Sequence, residues 1–299
     1  MPRKAKKLYD YIDRSAIARL AGEPLLSSMP MEGNVSGHHR SNHKGSSVEF
    51  AEYREYTPGE DPRRMDWRVL GRTDRYFLKE FEAETNLRCH CVLDSSGSMG
   101  FGEPENKLEF GKRLIGTLTY LHLRQGDAVG LEVPTSKSGM PLPARRNPSQ
   151  LQAVLEILGK TKAKGADPFA PKLHHLAEGT RMRALVLLVS DFLEEPNDLA
   201  HAIHHLRDRK HELVLFHVMD RQEIDFPFDR PTRFMDLEGG SPTLTEPSVI
   251  RRQYLEQLEA HSSALRKVCA ETQSGYHQIV TDEGVAKALS GFSSERTRT

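Results

Sequence analysis

Residues 87–99 read Leu87-Arg88-Cys89-His90-Cys91-Val92-Leu93-Asp94-Ser95-Ser96-Gly97-Ser98-Met99. An apolar run with Cys89 and Cys91 two apart, on one face of an extended chain, predicts a strand that stops on a carboxylate. Gly97 then bends the chain before the next helix. Working outward, residues 107–123 carry Leu108, Leu114, Ile115, Leu118 and Leu121, the broad apolar side of a helix. Residues 128–133 (AVGLEV) predict a strand. Residues 140–143 are expected to return antiparallel beside it, and Pro141 and Pro143 demand an edge position there. Helices are expected at 151–158, 170–177, 199–209, 249–269 and 285–289. The runs ALVLLVSD (184–191) and ELVLFHVMD (212–220) predict buried strands, with a shorter one at 276–280. Alternating strands and helices with short connections specify an α/β fold whose doubly wound, mostly parallel sheet is covered on both faces. Ligands of such sheets bind at the carboxyl ends of the strands, where Asp94 and Asp191 both stand.

The region before residue 86 reads differently. Residues 1–22 hold six Lys or Arg against two Asp, and residues 8–20 predict a short basic helix. Residues 27–47 are rich in Gly, Ser and His and predict a long mobile loop. VEFAEYREY (48–56) alternates as a strand, TPGEDP follows as a turn, and residues 76–81 supply a second strand. The expected organisation is therefore a β-containing extension over 1–85, an α/β domain over 86–292 and a polar tail over 293–299.

The 299 residues balance 42 Lys plus Arg against 42 Asp plus Glu, so no whole-molecule footprint for nucleic acid is expected. No apolar run approaches the roughly 18 residues that span a bilayer. The basic start lacks an apolar signal core, and three cysteines cannot all pair, so a reducing, cytoplasmic setting is expected.

Asp94, Ser96 and Ser98 place three oxygen-bearing side chains in one tight loop, the hard-donor chemistry that Mg²⁺ takes up. Simple helix capping by either serine is the competing reading. Asp191, ending another strand at the same sheet edge, favours the metal.

Asp94-x-Ser96-x-Ser98 with Asp191 in Val-Ser-Asp-Phe resembles the metal-ion-dependent adhesion site of the von Willebrand factor A-type fold. That resemblance implies an A-type sheet and a bound Mg²⁺ or Mn²⁺ whose open position is filled by a partner's carboxylate. It also implies a threonine from a loop between the two aspartates. Here the comparable stretch is Lys164-Gly165-Ala166-Asp167, with Ala166 in place of the hydroxyl and Asp167 as a substitute ligand. Further upstream, Phe50-x-x-x-Arg54-x-Tyr56-x-x-Gly59-x-Asp61-x-Arg63-x-x-Asp66-Trp67 is similar to the signature of domain-of-unknown-function family fifty-eight. Asp220-x-x-Glu223 and residues 234–238 resemble its later segment. Membership implies an adaptor that works with a MoxR-type AAA+ ATPase in maturing or remodelling a client protein.

Arg54, Tyr56, Asp61, Arg63, Asp66 and Trp67 form either a turn held by Arg–carboxylate forks or a partner-docking surface. Two rivals to the adaptor remain. Ser98 in SGSMG comes near a nucleophile elbow, with Asp191 or Asp220 and His277 as the remaining members of a serine-hydrolase triad. Alternatively, Ala166 has left the metal loop vestigial in a structural scaffold. His201 and His205 share a helix face at i, i+4, but no third ligand accompanies them.

Overall fold

A computed structural model describes residues 8–20, 49–55, 69, 71, 76–82, 87–134, 141–180, 182–240 and 242–296, with backbone alone at 49–55, 77–82 and 294–296. The chain forms two compact units, one of Met1–Leu26 with Arg88–Thr299 and the other of Ser27–Leu87. In the second, β1 (Glu49–Glu55) and β2 (Phe77–Glu82) pair antiparallel, with an irregular register between Phe50 and Glu52.

The first unit opens with a 3-10 turn (Leu8–Tyr11) and α1 (Arg14–Arg19), capped by the Asp13 carboxylate, which accepts from the Ser15 and Ala16 amides. It continues as β3 (Arg88–Leu93), α2 (Lys107–Arg124), β4 (Ala128–Glu132), β5 (Leu142–Arg145), α3 (Pro148–Lys160), α4 (Ala170–Gly179), β6 (Leu185–Ser190), α5 (Pro196–Asp208) and β7 (Glu212–Met219). After the short α6 (Arg221–Asp225) come the hairpin β8 (Thr232–Phe234) and β9 (Thr243–Thr245), then α7 (Pro247–Glu271), β10 (Gly275–Val280) and α8 (Val285–Arg296).

The sheet order is β10-β7-β6-β3-β4-β5, parallel throughout except that β5 runs antiparallel to β4. Pro143 lies in that edge strand, as its missing N–H requires. This is the doubly wound, mainly parallel A-type sheet. β6 and β7 are buried along their whole length because helices cover both faces. Alternate side chains sort between two cores. Val92, Leu188 and Leu215 pack with Leu173, Ile203 and Leu265 of α4, α5 and α7. On the other face, Leu93 and Val189 press on Gly111 of α2, and Phe216 meets Phe292 of α8. Cys89, Cys91 and Cys269 are buried, packed as small hydrophobes.

Two readings of the sequence change, and one element is added. Residues 8–20 do not belong with the β-containing stretch; they join the α/β unit, where Tyr11, Ala16 and Leu20 are buried. Asp13 pairs with Arg113, which also forks to Glu105, and the Asp13 amide donates to the Thr117 hydroxyl. The tail does not begin at 293, because α8 runs to Arg296 with Phe292 and Ser293 buried. The β8–β9 hairpin, too short to register as periodicity, went unforeseen.

Candidate metal centre

Asp94 sits one rung beyond β3, its amide donating to the Val189 carbonyl at 2.9 Å, so the sheet itself fixes the start of the loop. Both carboxylate oxygens are oriented by neighbours. Oδ1 accepts from the Ser96 amide at 2.9 Å, and Oδ2 accepts from the Ser190 hydroxyl at 2.6 Å. The Ser96 and Ser98 hydroxyls stand 2.9 Å apart on the same loop. Ser190 was missed in the sequence: it reads as one more residue of a buried strand, yet it ties the tip of β6 to Asp94. Its Oγ also accepts from the Phe192 amide at 2.9 Å. Phe192 carries a left-handed φ of 49°, a sharp turn that strand propensity does not announce and that costs on the order of 1–2 kcal/mol for such a residue.

The stretch after α3 closes along the Asp94–Ser98 loop. The Gly97 amide donates to the Gly165 carbonyl at 2.8 Å and the Lys164 amide to the Ser95 carbonyl at 2.9 Å. Ala166 therefore stands on the segment that meets the loop, but brings no hydroxyl. Asp167 is half-buried on the same segment with its carboxylate beside Gly165, and its backbone carbonyl accepts from Lys172. On another side, the turn after β8 approaches so closely that a Cβ at Gly97 would lie 2.3 Å from the Leu237 carbonyl oxygen. Glycine is required there by space rather than by φ.

Asp191 is buried at 3% exposure and faces a lysine. Lys107, the first residue of α2, is fully buried, with Nζ 2.6 Å from Asp191 Oδ2 and 2.6 Å from Glu223 Oε1. Glu223 returns its other oxygen to the Asp220 amide at 2.7 Å, completing a capping box on α6. The Asp220-x-x-Glu223 pattern is thus a helix start whose second acid also reaches the site. Nothing in the sequence pairs Lys107 with acids 84 and 116 positions away.

Burial, with the Asp191 charge adding to it, raises the Asp94 carboxyl to about 6. Burial also raises Glu223, against the pull of Lys107. Lys107 is held above the ordinary lysine value because Asp191 and Glu223 outweigh the desolvation that opposes its charge. For Asp94 the sign is clear. The folded protein holds this proton from about pH 4 to about 6 while the unfolded chain has lost it, so stability falls as pH rises through that window. Full ionisation costs about 3 kcal/mol. Urea titrations of chelator-treated protein at stepped pH should show this decline, and Asp94→Asn should flatten it. Equal slopes in the two proteins would mean that Asp94 ionises as it does in water.

The donor set suits a small hard cation: one carboxylate and two hydroxyls in a single turn, with a second carboxylate at the adjoining strand tip. Among the described residues no three His, Cys, Asp or Glu side chains cluster to hold a metal, so an ion here depends on the serines. His205 does meet a second histidine, His174, at 2.9 Å across α4 and α5. Each member of the suggested triad is engaged with other groups. Ser98 shares its hydroxyl contact with Ser96, Asp191 is held by Lys107, Asp220 caps α6, and His277 stacks on Phe216. Arg54 lies on β1; Tyr56, Asp61, Arg63, Asp66 and Trp67 fall outside the described residues.

The profile of the family described as "Protein of unknown function DUF58" matches residues 52–264. The chain belongs to the DUF58 family. Uncharacterized proteins of Mycobacterium tuberculosis (strain H37Rv) and Mycobacterium bovis are each 26% identical to this DUF58 protein over 235 residues, covering 77% of this chain and 74% of theirs. Among solved structures, the conserved hypothetical protein BatB from Bacteroides thetaiotaomicron aligns over 72% of this chain and 100% of its own, with 15% identity and a TM-score of 0.48. The SpRpn10 VWA domain aligns over 69% and 94%, with 11% identity and a TM-score of 0.38.

Beside Asp191 the DUF58 protein opens a groove of about 1240 Å³ between the hairpin, α6 and α7. Phe226, Phe228, Phe234 and Tyr254 line it as an aromatic cluster with ring centroids 4.8–5.9 Å apart. Leu193 and Met235 stand exposed on its wall, and Leu237 and Leu244 are exposed on the hairpin beyond. Apolar side chains gathered at the ligand edge of a sheet are what a protein-binding face presents. No helix among the described residues is long and apolar enough to cross a membrane.

Proposed function

We propose that this DUF58 protein is a metal-dependent protein-binding adaptor. It holds Mg²⁺ (or Mn²⁺) on Asp94, Ser96 and Ser98, with Asp191 as the nearby balancing carboxylate and Asp167 as an accessory donor where Ala166 brings none. The observation that carries this reading is the convergence of an oriented carboxylate and two hydroxyls at the carboxyl edge of the sheet, next to an exposed apolar groove. Two neutral hydroxyls leave the ion electron-poor, so an Asp or Glu of a partner completes its shell while apolar side chains of that partner enter the groove. Ion and partner then strengthen each other's binding. The family resemblance supports a MoxR-type AAA+ ATPase as that partner, in the cytoplasm, with a client protein matured or remodelled by the pair. Arg54, Tyr56 and Trp67 supply a second contact in this scheme. Nucleic acid has no part in it.

Tagged protein incubated in native lysate with Mg²⁺, or with EDTA, should recover an AAA+ ATPase only in the first case. Asp94→Ala should reduce recovery by on the order of tenfold or more, because the ion's anchoring carboxylate is gone. Equal recovery by Asp94→Ala in EDTA would remove the metal bridge from the mechanism.

A further inference from the structure

The site already contains a cation. Lys107 is fully buried, its Nζ 2.6 Å from Asp191 Oδ2 and 2.6 Å from Glu223 Oε1, and its ammonium lies 5.9 Å from the centre of the Phe101 ring. Its backbone is fixed as the first residue of an 18-residue helix, so only the four-carbon stem moves. Asp191 meanwhile directly follows Ser190, whose hydroxyl donates to Asp94 Oδ2 at 2.6 Å, so the two acids share one strand-tip region. A divalent ion at Asp94 and an ammonium on Asp191 therefore repel across a buried space where charges are weakly screened. Glu223 offers the ammonium a second seat, and its own position is secured by the Asp220 amide.

We infer that Lys107 is a tethered competitor of the metal, a resident cation that neutralises Asp191 when no ion is bound and withdraws onto Glu223 when one enters. The inference rests on the metal-site reading above and adds its regulation. In this chain ion affinity is set as much by Lys107 and Glu223 as by the serines, and the missing hydroxyl at Ala166 acts in the same weakening direction.

The test is Mn²⁺ binding followed by electron paramagnetic resonance of the free ion, with circular dichroism melts verifying that each protein is folded. Lys107→Met alone leaves two buried acids without their cation, so the informative variant is Lys107→Met/Glu223→Gln. It removes one charge of each sign and frees Asp191. That protein should bind Mn²⁺ on the order of tenfold more tightly than the parent chain. Glu223→Gln alone should bind several-fold more weakly, since the ammonium then has only Asp191. Affinities within about twofold of each other across the three folded proteins, with binding still lost in Asp94→Ala, overturn the competitor role and leave the metal site standing. No Mn²⁺ binding by any of them at millimolar ion overturns both.

Discussion

Lys107→Met should destabilise the protein by about 3–5 kcal/mol, because it strips the cation from two acids that are largely removed from water. Asp191 and Glu223 contact the ammonium at 4% and 15% side-chain exposure, so solvent does little to substitute for it. The methionine keeps nearly the volume of the stem, which separates the electrostatic loss from any cavity. Adding Glu223→Gln should recover part of the deficit, giving a coupling of the sign expected for directly bonded groups. Urea unfolding of the four proteins in chelator measures the whole cycle. A single-variant loss under about 1 kcal/mol would place the ammonium in water, contrary to its geometry.

Gly116→Ala should lose about 1–3 kcal/mol where helix propensity alone would gain up to about 1 kcal/mol. A Cβ at this position would lie 2.2 Å from the Tyr11 carbonyl oxygen and 3.2 Å from Leu155 Cδ2, so backbone rather than a pliant side chain must yield. The displaced element is the 3-10 turn and α1, and with them the burial of Tyr11, Ala16 and Leu20. Limited trypsin digestion should then cut at Arg14 and Arg19 in the variant well before the parent. The control lies on the next helix. A Cβ on Gly159 would meet only the Tyr11 ring edge at an ordinary 3.7 Å, so Gly159→Ala should be neutral or gain up to about 1 kcal/mol. Equal behaviour of the two alanine variants would show that the N-terminal segment does not seat on α2 as described.

Local periodicity carried the sheet. The runs at 87–94, 184–191 and 212–220 are apolar because both faces of a parallel strand are covered, and that pattern needs no knowledge of partners. The Asp94-x-Ser96-x-Ser98 loop was legible for the same reason: its chemistry is written within five consecutive residues, and the strand before it dictates where it stands. The polar tail and the N-terminal extension were misjudged because their membership is decided by packing. Ser293 looks hydrophilic but is buried on α8, and residues 8–20 look like a solvated basic helix until Thr117 and Arg113 are found beneath Asp13.

What residue order determined by itself is the alternation of strand and helix, the sheet edge at which Asp94 and Asp191 stand and the hydroxyl side chains that follow Asp94. Those features follow from side-chain periods of 2 and 3.6 and from the chemistry of neighbouring residues. Tertiary structure alone decided which charges face those donors. It brought Ser190 onto Asp94 across 96 positions, set Lys107 between two acids from separate elements, and laid the Leu237 turn against Gly97. Electrostatic balance in a buried site is a sum over neighbours in space, and chain folding chooses those neighbours.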